Sequence, residues 1–191
     1  VAIAVPPVVR RGLAAAIARV REKVPRKSVR WVDADNVHLT LRFIGDIPAS
    51  DLDPMRRALA SGIRGAEPFM LRLAQAGCFP EGGSPRVLWV GLGGDLERLA
   101  RLQAQVLEAT RVWGQVEARA FHPHLTLGRV VARRAGEMRP IAEAMGVFPV
   151  PACSPWRVEE VCLMQSVLAA GGAEYSVLAR FNLTAGGASS A

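Results

Sequence analysis

Two short stretches of this chain carry the same four residues. His38-Leu39-Thr40-Leu41 recurs as His124-Leu125-Thr126-Leu127, and together they hold two of the three histidines in the sequence. In an extended strand successive side chains point to opposite faces, so His38 and Thr40 share one face while Leu39 and Leu41 take the other. His124 and Thr126 do the same. Each copy therefore offers one imidazole and one hydroxyl from a rigid strand that its leucines anchor to a core. Two imidazoles converging on one cleft can run acid–base chemistry near neutral pH. One takes a proton from an attacking oxygen while the other protonates a leaving oxygen. The threonine hydroxyls can donate hydrogen bonds to non-bridging oxygens where charge develops. Phosphodiester cleavage requires these groups, and neither a cofactor nor a metal is expected. His122, in Phe121-His122-Pro123-His124, reads first as a loop residue and second as a substrate contact.

Those groups need elements to hold them. Val1–Val5 is apolar and β-branched and stops at Pro6-Pro7, a short buried strand. From Val8 to Lys23 apolar residues recur at helical spacing (Leu13, Ala16, Ile17, Val20), an amphipathic helix ended before Pro25. RKSVR at 26–30 reads as a basic connector, and Val37–Ile44 as the strand of the first motif, closed by Gly45-Asp46. Ser50 and Asp53 resemble a capping box that opens a helix to about Arg64. Phe69–Cys78 and Val87–Leu92 read as strands joined by the turn-rich PEGGSPR at 80–86. Gly93-Gly94-Asp95 starts a second long helix, to about Val112, and His124–Val131 is the strand of the second motif. A short helix near Gly136–Met145 follows, then two strands, Arg157–Gln165 and Glu174–Leu183, separated by Ala169–Gly172. This order departs from the regular alternation of a doubly wound parallel sheet and predicts an α+β fold of two similar halves packed together. Residues 1–184 are expected to form one bilobal domain, and the Gly/Ala/Ser stretch 185–191 a flexible tail.

Composition narrows the class. Of 191 residues, 50% are hydrophobic and 21% charged, with a mean hydropathy of +0.19. That is too apolar for intrinsic disorder, and it suffices for one sizeable domain or two lobes sharing a core. No run approaches the about eighteen uninterrupted apolar residues of a membrane span. Val1–Val5 has no basic segment ahead of it, so no secretory leader is expected, and the first strand is expected to lack a residue or more of the natural chain. Cys78, Cys153 and Cys162 fit neither a zinc site nor a disulfide framework and read as small buried residues in a reducing cytoplasm. The formal charge is +7, and of 24 basic residues all but Lys23 and Lys27 are arginine. Arginine's planar fork suits phosphate, so an anionic substrate or nucleic acid is one reading of that bias and genome composition is the other.

The paired motifs and their surroundings resemble the 2H phosphoesterase superfamily, and within it the RNA 2′,3′-cyclic phosphodiesterase (2′-5′ RNA ligase) family. The likeness runs through VAIAVPP, RWVDADNVHLTLRFIG, PRVLWVGL, FHPHLTLGRV, MQSVL and AEYSVLARFNL, which span nearly the whole chain. It implies a bilobal α+β fold with antiparallel sheets lining a central cleft, pseudo-twofold symmetry and helices outside. It further implies metal-independent hydrolysis of RNA 2′,3′-cyclic phosphate ends, or of cyclic nucleotides, to 2′-phosphates, with 2′-5′ joining of RNA ends as the related reverse transfer. A monomer with no membrane partner is expected. By position, His38 matches the proton donor to the leaving 3′-oxygen and His124 the base that activates water. Thr40 and Thr126 match the phosphate-holding hydroxyls, and Arg129 an arginine that faces the phosphate. The family often carries arginine where His122 stands. Arg129 also has the wrong parity to share a face with His124 in an ideal strand, so a bulge or strand end near Gly128 is required.

Neighbouring residues divide between substrate and scaffold. Arg42 shares the parity of His38, as either a cleft-edge phosphate contact or a solvated strand end. Phe43 has the parity of the leucines and reads as core rather than as a base-stacking surface. Ser166 is a candidate cleft-lining hydroxyl, and Trp31, Trp89, Trp113 and Trp156 are too scattered for a stacking platform. Two other classes remain: an RNA-end or nucleotide binder without catalysis, which would not need paired imidazoles, and a metal hydrolase using His38, His122 and His124. The second lacks an Asp or Glu beside either motif at ligand spacing.

Overall fold

Proline at the start of a helix lacks only an N–H that would be unpaired there anyway, and its fixed φ suits the first turn. Pro6-Pro7 accordingly separates the first strand, β1 (Ala2–Ala4), from the first helix, α1 (Pro7–Arg21), whose Val9, Leu13, Ala16, Ile17 and Val20 are buried. The computed structural model describes residues 1–115, 120–132, 134–169 and 172–184, so the expected tail lies outside the described residues. After α1 come β2 (Val29–Trp31), β3 (His38–Thr40), α2 (Leu52–Gly62), β4 (Phe69–Phe79) and β5 (Val87–Gly94). Then come α3 (Leu96–Thr110), β6 (His124–Val130), α4 (Ala135–Gly146), β7 (Trp156–Val158), β8 (Glu160–Ala169) and β9 (Gly172–Asn182).

Among the described residues the strands join one sheet in the order β7-β4-β5-β6-β3-β1-β8-β9, with β2 paired to β6 beside this path. Every pairing is antiparallel. The α+β fold is thus built from two arms, β7-β4-β5-β6 and β3-β1-β8-β9. They are continuous rather than separate, because β3 and β6, the two motif strands, pair at Leu39 and Leu125. That pairing removes two strand edges whose backbone groups would otherwise lack partners. Only Glu159 lies between β7, at one end of the order, and β8, near the other. One residue spans a few ångströms at most, so the sheet curls until its far ends approach each other.

The core lies on the leucine face. Leu39, Leu125 and Leu127 are 2%, 0% and 0% exposed and pack with Leu13, Leu59, Leu99 and Leu102 of the helices. Burying one such side chain contributes about 1.5–3 kcal/mol. A one-residue slip would turn the leucines out and the histidines in, so the core also fixes the register.

Four local expectations are corrected. The basic connector contains strand residues: Val29 and Arg30 pair with Val130 and Arg129. The first motif strand stops at Thr40, because the next two N–H groups, of Leu41 and Arg42, both donate to the Val1 carbonyl. The expected strand Arg157–Gln165 is split at Glu159 so that β7 serves β4 and β8 serves β1. The capping box of Ser50 and Asp53 does not form, since a 3₁₀ turn at Ala49–Asp51 leads into α2 and the helix has no side-chain cap.

Candidate active site

The register of the two motif strands assembles the site. With Leu39 opposite Leu125, antiparallel pairing sets His38 beside Thr126 and Thr40 beside His124. All four polar side chains therefore share the face opposite the leucines, and the two imidazoles lie on a diagonal of the ladder. Diagonal neighbours stand about 7–8 Å apart, a gap that one phosphate group fills.

Each ring is aimed by the same device. His38 Nδ1 lies 2.8 Å from the Asn36 carbonyl oxygen, and His124 Nδ1 lies 2.7 Å from that of His122. A carbonyl only accepts, so each Nδ1 carries the proton and donates it, which leaves Nε2 as the working nitrogen. The acceptors are themselves held. Asn36 ends a 3₁₀ turn, Ala34–Asn36, in which the Asp33 carboxylate accepts from the Asp35 N–H, and its side-chain amide donates to the Ala173 carbonyl of β9. His122 precedes Pro123, whose ring fixes the backbone leading into His124.

The surroundings of the rings differ. Tyr175 of β9 meets His38 in a T-shaped contact, centroids 4.7 Å apart. Burial pulls the His38 imidazole below its ordinary pKa of 6.5, with the Asn36 carbonyl opposing that shift. On the other side Phe79 meets His124 edge-on at 5.2 Å and 84°, and Trp89 stands 5.1 Å from Phe79.

The bulge that Arg129 needs is present. Leu88 of β5 faces Gly128, while the next residue, Trp89, faces Thr126, so Leu127 has no partner on β5. A Cβ on Gly128 would stand 2.8 Å from Cγ1 of Val29, which explains the glycine. Past the bulge Arg129 lies opposite Val87, two residues from Trp89, and so returns to the face of Thr126 and His124. Arg30 sits directly opposite Arg129 and shares that face. Like charges opposed on a ladder repel, and an anion between them would relieve the repulsion.

The remaining candidates separate. Arg42 is neither a cleft contact nor a solvated strand end. It is 6% exposed, and its guanidinium donates to the Leu107 carbonyl, Thr110 Oγ1 and the Trp113 carbonyl at 3.1, 2.6 and 2.6 Å. With β3 finished at Thr40 the alternation no longer applies, and the cation closes the C-terminal end of α3, where the helix dipole favours positive charge. Phe43 is 70% exposed rather than in the core, for the same reason. His122 contributes its carbonyl, and its ring lies 6.1 Å from Phe79. Ser166 is exposed on β8 opposite Tyr175, hence on the face of the residue that touches His38. Among the described residues no group of three His, Cys, Asp or Glu side chains could hold a metal ion.

Four residues at the site, Arg30, Phe79, Trp89 and Tyr175, escape the motif spacing. Arg30 lies in a segment whose charge hides its strand, and the three aromatics reach the site only through the register of neighbouring strands.

Comparison with known proteins agrees with this geometry. The family model of the 2′-5′ RNA ligase superfamily matches residues 9–168. A Thermus thermophilus protein named RNA 2′,3′-cyclic phosphodiesterase is 35% identical over 191 residues, covering 95% of this chain and 88% of its own. An Aeropyrum pernix protein of the same name is 34% identical over 166 residues, covering 85% and 92%. The structure of E. coli LigT complexed with 3′-AMP matches with a TM-score of 0.75 at 30% identity, covering 96% of this chain and 95% of its own. The paired motifs, the fold and these relatives agree, and the chain belongs to the 2′-5′ RNA ligase superfamily, whose model covers most of its length.

Proposed function

We propose that the protein opens 2′,3′-cyclic phosphates at RNA ends, leaving a 2′-phosphate and a free 3′-hydroxyl. The observation that carries this reading is the matched pair of ring-to-carbonyl hydrogen bonds on adjacent strands, which leaves two Nε2 atoms to work on one face. His124 Nε2 takes a proton from water as the water oxygen attacks phosphorus. The bond to the 3′-oxygen breaks, and His38 Nε2–H delivers its proton to that oxygen. Thr40 and Thr126 hold the non-bridging oxygens, and Arg129 and Arg30 offset the charge of the phosphate. A phosphate anion beside His38 favours its protonated form, countering the burial that disfavours it. Both proton transfers have a side chain, so the chemistry requires no cation.

Three free cysteines, Cys78, Cys153 and Cys162, suit a reducing compartment, which supports work in the cytoplasm. No described helix is long and apolar enough to cross a membrane. One copy of the chain supplies every group named, which supports a monomer. The test is product analysis on an RNA oligomer ending in a 2′,3′-cyclic phosphate, with and without EDTA. A 2′-phosphate formed at the same rate in chelator is expected. A 3′-phosphate product, or loss of activity restored by a divalent ion, would overturn the reading.

A further inference from the structure

Beside His124 lies a cavity of about 230 Å³ lined by Phe79, Trp89, Leu92, Leu96, His122 and His124, with Gln75 and Glu81 also on its wall. Its floor is flat for a stated reason. Gly77 and Gly91 carry no side chains under the Trp89 indole, where a Cβ on Gly77 would stand 2.5 Å from Cζ2 and one on Gly91 3.3 Å from Cζ3. The indole can therefore lie down along the sheet, with Phe79 tilted at 33° to it and edge-on to His124. Trp89 Nε1 is a buried donor without a partner. The cavity is smaller than the roughly 300–1,000 Å³ of sites for drug-sized ligands, a size for one planar ring.

Its side of the phosphate decides what ring it takes. In an in-line displacement the entering and leaving oxygens stand on opposite sides of phosphorus. If His38 protonates the leaving 3′-oxygen, the ribose and base of the cyclic end lie toward His38, and the nucleophile arrives past His124. Water needs no aromatic floor. We propose that this cavity binds the base of an incoming 5′-hydroxyl nucleoside, the acceptor of a transfer reaction, with its base stacked on Trp89. This inference rests on the roles proposed above for the two histidines. In the step the acceptor's 5′-oxygen bonds to phosphorus and its proton passes to His124. The 3′-oxygen leaves and takes the proton of His38, giving a 2′-5′ phosphodiester with a free 3′-hydroxyl. No co-reactant is consumed. The Glu81 carboxylate on the wall disfavours a 5′-phosphate and suits an acceptor that ends in a neutral hydroxyl.

The experiment offers one donor, a 2′,3′-cyclic nucleotide, to two acceptors, a 5′-hydroxyl nucleoside and methanol, and measures the ratio of the two transfer products. The wild type should prefer the nucleoside, and Trp89→Ala should lower that preference at least about tenfold, the loss of one base–aromatic stack. Leu96→Trp, which fills the cavity from its more exposed edge, should do the same. Because the readout is a ratio between acceptors, a variant that folds poorly loses both products together and leaves the ratio defined. An unchanged ratio in both variants would overturn the inference. So would a raised KM for the cyclic donor with the ratio unchanged, which would give the cavity to the donor base. Hydrolysis without any transfer in the wild type overturns this inference and leaves the proposed hydrolase standing, whereas no turnover of the cyclic donor at all removes the hydrolase as well.

Discussion

His38 and His124 open identical tetrapeptides and make the same Nδ1 bond, at 2.8 and 2.7 Å, yet the chain diverges just beyond each motif. After the first motif the strand ends, Arg42 turns inward and the ring is closed in by Tyr175. After the second a bulge at Leu127–Gly128 keeps the strand going and carries Arg129 back to the working face, and the ring borders an open cavity. A duplicated motif therefore preserved the aim of the imidazole while its flanks diverged. The closed side suits a group that releases its proton to an oxygen held in place, and the open side suits one that meets an arriving nucleophile.

The comparison breaks first if either ring is dispensable. His38→Ala and His124→Ala should each lower kcat by about 10²–10⁴-fold, the usual loss for a general acid or base, with circular dichroism unchanged. Near-normal turnover in either variant would remove that half of the site. The fate of the two arginines is the next contrast. Hydrogen bonds from a charged donor contribute about 1.5–3 kcal/mol each, so Arg42→Ala should destabilise the fold by about 3 kcal/mol in urea titration. The salt dependence of RNA binding should stay as it was. Arg129→Ala and Arg30→Ala should show the reverse pattern, with little change in stability, a KM for oligomeric RNA raised about tenfold, and a log–log salt slope reduced by about 0.7 per lost phosphate contact.

The smallest effect concerns protonation. Burial disfavours charged His38, so by NMR its ring should titrate below 6.5 in the free protein. The unfolded chain binds that proton more tightly. The associated stability is therefore fully present above about pH 6.5 and is shed as pH falls toward the lowered folded value. His38→Asn should flatten that slope in a series of thermal melts. A ring titrating at or above 6.5 would mean that the closed side is solvated like the open one.

How much of this is legible in the sequence depends on which physics is local. Alternation along one strand is local, so His38, Thr40, His124 and Thr126 fall on one face and Leu39 and Leu125 on the other, as the two tetrapeptides indicate. Arg129 is legible only together with the condition that a bulge stand near Gly128, and Gly128 is where β5 and β6 slip register. Arg42 and Phe43 defeat the alternation rule because a strand's end depends on a competing acceptor, here the Val1 carbonyl, which no spacing rule contains. Trp89 looks scattered in the sequence because its meaning comes from Gly77 one strand over and from Thr126 on the other side.

The single-residue step at Glu159 orders events during synthesis of the protein. Both histidines leave the ribosome well before residue 160, but until then β1 has β3 on one flank and nothing on the other, because β8 is its second neighbour. Tyr175, which closes over His38, is made later still. A nascent chain thus carries its reactive rings for some time without the enclosure that tunes them, and becomes competent only when its final hairpin swings across to seal the far arm.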